Sequence, residues 1–125
     1  MPEPVDETEV VEALRRAGAR FAFVHGSRAE GTARADSDLD VGAWFGTEPP
    51  APWEVAVPDG VDLVILDDAP LVLAGRIAAR GRLLFDDDPR ARVEWVATTR
   101  KVHADERPRL DLARRTFLEE RARGR

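Results

Sequence analysis

Three aspartates and one glycine–serine pair hold the chemistry in this sequence of 125 residues. Asp38 and Asp40 stand two apart in Asp38-Leu39-Asp40, and on an extended strand that spacing sends both carboxylates from one face, with Cα atoms about 6.6 Å apart. Ten residues before them, Gly26-Ser27 closes a short apolar run. A glycine there lets the backbone turn sharply and approach a ligand, and Ser27 opens a helix whose unpaired N–H groups favour a phosphate oxygen. The serine hydroxyl adds a donor, and Arg28 reaches toward a triphosphate from the first helical turn. Asp62, near the start of another apolar run, supplies a third carboxylate. Hard oxygen ligands select Mg²⁺ or Mn²⁺, and two such ions about 3.5–4 Å apart hold both the attacking and the leaving oxygen of a phosphoryl displacement. With a triphosphate at Gly26-Ser27, the α-phosphorus lies over the metals and Asp62 helps to deprotonate the incoming hydroxyl.

Composition removes the competing chemistries. There is no cysteine, which excludes disulfides, thiol nucleophiles, zinc ribbons and iron–sulfur clusters. Two histidines cannot build a three-histidine zinc site. The length and the 43% hydrophobic content fit one domain over residues 1–125. A net charge of −5 argues against direct nucleic-acid binding through electrostatics alone. The charge is uneven: residues 100–125 carry nine Arg/Lys and five Asp/Glu, whereas residues 1–99 carry ten and nineteen. No apolar run approaches the roughly 18–20 residues of a membrane span, and the acidic start, residues 1–6, is unlike a signal peptide. A cytoplasmic protein with no membrane partner is expected.

The elements that position these residues follow from periodicity. Asp6 and Glu9 have capping-box spacing ahead of Val10, Val11, Leu14 and Ala17, and Gly18 stops that helix. Arg20 to His25 reads as a buried strand, Gly26 to Ser37 as a turn, a short helix and a loop. Asp38 to Phe45 alternates, with Leu39, Val41 and Ala43 on one face and Asp38, Asp40, Gly42 and Trp44 on the other. Gly46 to Gly60 is a proline-rich extended connection, and Val61 to Leu66 a third strand. Asp67 and Asp68 offer a cap for a helix over Leu71 to Arg80, closed by Gly81, and Leu83 to Phe85 form an edge strand. Asp86 to Asp88 open a long helical region over about 89–122, bent or split at Pro108, with Val93, Val96, Leu110, Ala113 and Phe117 facing inward. The fold class is α/β (α+β), a small mixed sheet flanked by helices. His25 reads as a packed strand-end residue, and His103, Arg34 and Arg82 read as solvated. Trp44, Phe45 and Trp53 read as packing residues.

Gly26-Ser27, ten residues, then Asp38-Leu39-Asp40, with Asp62-Leu63-Val64 as the third-carboxylate strand, resembles the active-site signature of the nucleotidyltransferase superfamily related to DNA polymerase β. Within it the chain is most similar to the minimal nucleotidyltransferases, the MntA-type antitoxins that pair with HEPN-domain toxins. The resemblance implies a polymerase β palm-like fold and an Mg²⁺-dependent protein adenylyltransferase that moves AMP from ATP to a tyrosine of a HEPN ribonuclease. It gives Gly26 and Ser27 the triphosphate, Asp38 and Asp40 the metals, and Asp62 the metal and the nucleophile's proton. The absence of tyrosine agrees with modification in trans. Two other readings stand beside it: an antitoxin that neutralises by stoichiometric binding, and a small-molecule nucleotidyltransferase of the aminoglycoside type.

Overall fold

The computed structural model describes residues 5–26 and 38–122, with the backbone alone at positions 107, 108, 110, 111 and 120–122. Its first helix, α1 (Glu7–Ala17), is fixed at both ends. The Asp6 carboxylate accepts from the Thr8 N–H at 2.9 Å, a cap worth about 1 kcal/mol, and Gly18 adopts φ +98°. The chain then forms β1 (Phe21–His25), β2 (Leu39–Trp44), β3 (Val61–Ile65), α2 (Leu71–Arg80), β4 (Arg82–Asp86) and α3 (Pro89–Ala122).

The four strands make one mixed sheet in the order β3-β2-β1-β4. β1 pairs antiparallel with β2 and β4, whereas β2 and β3 run parallel. Strand alternation divides the sheet into two faces. Ala22 and Val24, Leu39, Val41 and Ala43, and Leu63 and Ile65 join Val10 and Leu14 of α1 in one core. Phe21 and Phe23 point the other way, into a second core with Leu66 and Ile77, to which Trp44, Leu73, Trp95 and Val96 add. The Trp44 and Phe21 rings stack at 5.2 Å, and Trp95 lies 5.9 Å from both phenylalanine rings. Gly42 sits at the middle of this second face because an added Cβ would lie 2.7 Å from Leu66 Cδ2.

Several local expectations change. Asp67 does not cap α2: its carboxylate accepts from the N–H groups of Phe45 and Gly46 at 3.0 and 2.7 Å, and α2 starts at Pro70 without a side-chain cap. The proline-rich connection contains a 3₁₀ turn, Pro52–Glu54, held by Glu54 Oε1 accepting from the Ala51 N–H. Trp53 on that turn is 86% exposed, so it packs nothing, while Phe45 is buried as expected. Arg82 is not simply solvated, because its guanidinium forks onto Glu7 at 2.9 and 3.1 Å and ties β4 to α1.

α3 departs most. Its 34 residues run as one helix through position 108, so Pro108 does not split it. A proline there removes the bond to the Ala104 carbonyl, and the turns on either side continue the helix. A helix of this length is about 51 Å long, more than a four-stranded sheet can cover. Ala91, Trp95 and Val96 pack on the second core, but Val93 is 54% and Phe117 57% exposed and Ala113 is exposed too, against expectation. His103 also differs, being half-buried with its ring lying directly on Gly75 of α2. Arg100 Nε donates to the Ala78 carbonyl at 3.1 Å, so α3 crosses α2 antiparallel.

Candidate functional site

The face that buries Phe21 and Phe23 continues, two residues on, to His25. β1 ends there, and Gly26 turns the chain at φ +72°, a conformation that costs other residues energy. On β2, Trp44 and Gly42 lie under the helices, and the next residue of the same parity is Asp40. In the sheet register His25 stands opposite Asp40, and Asp40 stands opposite Asp62 of β3. A row of imidazole, carboxylate and carboxylate therefore crosses three neighbouring strands at one end of the second face. Asp38 precedes β2 by one residue, with the parity of Asp40. Asp38 and Asp62 are exposed, and Asp40 and His25 half-buried.

Gly26 has a function that sequence reading did not anticipate. A Cβ on Gly26 would strike Asp40 Oδ2 and stand 3.3 Å from Asp40 Cγ, so the missing side chain makes room for the Asp40 carboxylate. The spacing of glycine and aspartate in sequence gives no sign of this, because the meeting depends on β1 and β2 being antiparallel in this register.

Burial lowers the His25 pKa below the ordinary histidine value, and Arg76 acts in the same direction, against the attraction of Asp40 and Asp62. His25 Nε2 is buried and, among the described residues, has no hydrogen-bond partner. Burial thus favours the neutral imidazole at His25, beside two carboxylates. Arg76 lies on the solvent side of α2, between the buried Gly75 and Ile77, and was not singled out from sequence.

The structure brings Asp40, Asp62 and Gly26 together and sets Asp38 beside them. Ser27 and Arg28, assigned to the nucleotide, lie outside the described residues, as does Arg34. Among the described residues no three acidic or histidine side chains converge closely enough to hold a metal ion as they stand. The donor set nevertheless fits a hard divalent cation by type, being carboxylate oxygens, and by register, Asp40 and Asp62 being direct cross-strand neighbours. Among the described residues no helix is long and apolar enough to cross a membrane.

The family model described as "Polymerase beta, Nucleotidyltransferase" matches residues 9–90, which span α1 to the start of α3. No curated protein matches the chain. Among solved structures, a chain of a toxin–antitoxin crystal structure with AMP-PNP matches at TM-score 0.66 and 24% identity, covering 87% of this chain and 98% of the other. A chain of the MntA–HepT toxin–antitoxin complex matches at TM-score 0.58 and 21% identity, over 86% and 95%. A third belongs to a tri-AMPylated Shewanella oneidensis HEPN toxin in complex with MNT antitoxin, at TM-score 0.59 and 21% identity, over 86% and 94%. At these identities the likeness establishes a shared fold.

Proposed function

The chain belongs to the polymerase β nucleotidyltransferase family, and from that premise we propose that it is a protein adenylyltransferase antitoxin, moving AMP from ATP to a tyrosine of a HEPN-domain toxin. The observation that carries this reading is the register row Asp40–Asp62 beside the Gly26 turn, with Asp38 at its side. The structural neighbours support it: one was crystallised with AMP-PNP and another contains a tri-AMPylated HEPN toxin.

In this reading residues 1–125 act as one minimal nucleotidyltransferase domain, whose helical region from about 89 to 122 runs on beyond residue 90, where the family match ends. Asp38, Asp40 and Asp62 would hold Mg²⁺, or Mn²⁺ in its place. A divalent cation bound there supplies positive charge against the phosphate oxygens. Gly26, Ser27 and Arg28 bind the triphosphate, and the left-handed turn at Gly26, without a side chain, lets phosphate oxygens approach the backbone. The acceptor's hydroxyl oxygen forms the new bond to the α-phosphorus of ATP while the bond to the bridging oxygen breaks and pyrophosphate leaves. Asp62 is exposed at the strand start and takes the hydroxyl proton. The acceptor must be another chain, because this one has no tyrosine.

The test is intact-mass spectrometry of a HEPN partner encoded beside this protein, after incubation with the protein, ATP and Mg²⁺. Adenylyl-sized increments are expected, and are lost with Asp38→Asn and Asp40→Asn. A stable complex without any increment would replace this reading with neutralisation by binding alone.

A further inference from the structure

The sheet has two edges, β3 and β4, and the charges around them differ. On the β4 side arginines and carboxylates meet in pairs: Arg15 with Asp87, Arg20 with Asp88, Arg82 with Glu7 and Arg92 with Asp86. On the β3 side they do not. Residues 46–75, from the end of β2 through β3 into α2, hold Glu48, Glu54, Asp59, Asp62, Asp67 and Asp68 and neither lysine nor arginine. Glu48, Glu54, Asp59 and Asp68 are exposed, and among the described residues none of them pairs with a cation. This flank attracts positive charge.

The same stretch carries the most exposed large apolar side chain among the described residues, Trp53 at 86%. On a slack loop a single exposed apolar residue would mean little, but this one is held. β2 and β3 are parallel, so their connection carries the chain back along the sheet, and its 3₁₀ turn, Pro52–Glu54, packs beside β3. The Asp67 carboxylate fastens the start of the connection at the Phe45 and Gly46 amides. Pro49, Pro50 and Pro52 each fix φ, and Glu54 Oε1 ties the turn back to the Ala51 N–H at 3.0 Å. Immediately after the turn, Val55 is buried in the first core. With its backbone so restrained, Trp53 has little more than its two side-chain torsions to lose on meeting a partner.

We infer that Trp53 anchors a docking surface on the β3 flank, taken by the acceptor protein of the proposed transfer through an apolar pocket edged with arginine or lysine. Tryptophans buried at an interface are among the few side chains that carry most of its energy, and opposite charge around them steers approach and orientation. The connection ends at Gly60, two residues before Asp62, so a protein seated on this flank also borders the carboxylate row. The assignment rests on the proposed nucleotidyl transfer and names the surface that receives its acceptor.

The experiment uses the full chain and the HEPN protein encoded beside it. In calorimetric titration Trp53→Ala should weaken the complex about thirty-fold and Trp53→Phe less, while thermal midpoints and the binding of a non-hydrolysable ATP analogue match wild type. Glu48→Gln/Asp59→Asn should slow association at low salt and lose that effect at high salt. With fluorinated tryptophan in this chain alone, the fluorine resonance of Trp53 should shift on complex formation while that of Trp95, in the second core, stays in place. A folded Trp53→Ala that binds the HEPN protein as tightly as wild type overturns the assignment alone. So does a Trp53 resonance that moves with the concentration of this chain by itself, which would give the turn to a second copy. An association rate untouched by the charge variant at low salt overturns the basic edge of the pocket. A wild-type chain that forms no complex with the HEPN protein overturns the proposed function with it.

Discussion

Replacing Gly26 with alanine should cost the protein twice, and the two costs can be measured apart. The first is backbone strain at φ +72°, about 1–2 kcal/mol for a residue with a Cβ. The second is collision with the Asp40 carboxylate, whose Cγ lies 3.3 Å from the new methyl and whose Oδ2 is closer still. Restoring an ordinary contact of about 3.5 Å moves that oxygen on the order of 1 Å, and overpacking of this kind costs roughly 1–3 kcal/mol. Gly18→Ala is the control, because Gly18 has φ +98° and nothing within 4 Å of the added Cβ. Urea unfolding of Gly18→Ala should therefore report strain alone. Gly26→Ala should exceed it by more than about 1 kcal/mol in the wild-type background and match it in an Asp40→Ala background, giving a coupling energy of that size. In the adenylyl-transfer assay, a shift of about 1 Å in a positioned carboxylate should lower the rate on the order of 100-fold. An identical cost of Gly26→Ala with and without the Asp40 carboxylate would refute the reasoning, and so would full transfer activity in Gly26→Ala.

Three further outcomes follow from the packing and the charges. Gly75→Ala should destabilise by roughly 1–3 kcal/mol, because its methyl would occupy the space of the His103 ring; the excess should vanish in Gly75→Ala/His103→Ala, and urea midpoints decide it. His25 has a folded-state pKa lowered by burial, so below the unfolded value of about 6.5 the unfolded chain takes up more protons, and stability held above that pH is lost as the pH falls through it. His25→Gln should flatten that loss between pH 7.5 and 5, and parallel stability profiles for the two proteins would contradict the account. Asp62→Asn removes a like charge directly opposite Asp40 and should stabilise the metal-free protein by about 0.5 kcal/mol, a rise of a few degrees at most in thermal unfolding; a fall in midpoint would show that the pair is not repulsive.

Much of the fold was legible because short-range rules dominate it. α2 falls at Leu71–Arg80, between its proline and Gly81, and α1 carries the Asp6 cap and the left-handed Gly18 that its sequence announces. The period-two alternation of Leu39, Val41 and Ala43 against Asp40, Gly42 and Trp44 separates the two faces correctly. What sequence could not convey were the meetings between distant segments. Asp67 binding the Phe45 and Gly46 amides, Arg82 reaching back to Glu7, and His103 seated on Gly75 each depend on how complete elements dock. The inward face assigned to α3 failed for a related reason. Periodicity shows which residues share a stripe, but the sheet is too small to lie beneath all of it, and Ala113 and Phe117 stay exposed.

The second face of the sheet explains why the carboxylates stand where they do. One alternation sets Phe21, Phe23 and His25 on the same side of β1, and Trp44, Gly42 and Asp40 on the same side of β2. Among the described residues the helices cover the aromatic end, and at the acidic end Asp38 and Asp62 are exposed, so burial and reactivity divide a single surface between them. Stability alone would not favour this arrangement, since Asp40 and Asp62 are like charges in direct register and His25 Nε2 is buried without a partner among the described residues. Each would be relieved by a ligand bringing positive charge to the carboxylates and a hydrogen bond to the imidazole. Strain concentrated in one row, on a molecule where Asp6 caps a helix and Glu7, Asp86 and Asp87 pair with arginines, is the physical signature of a surface shaped for binding rather than for folding.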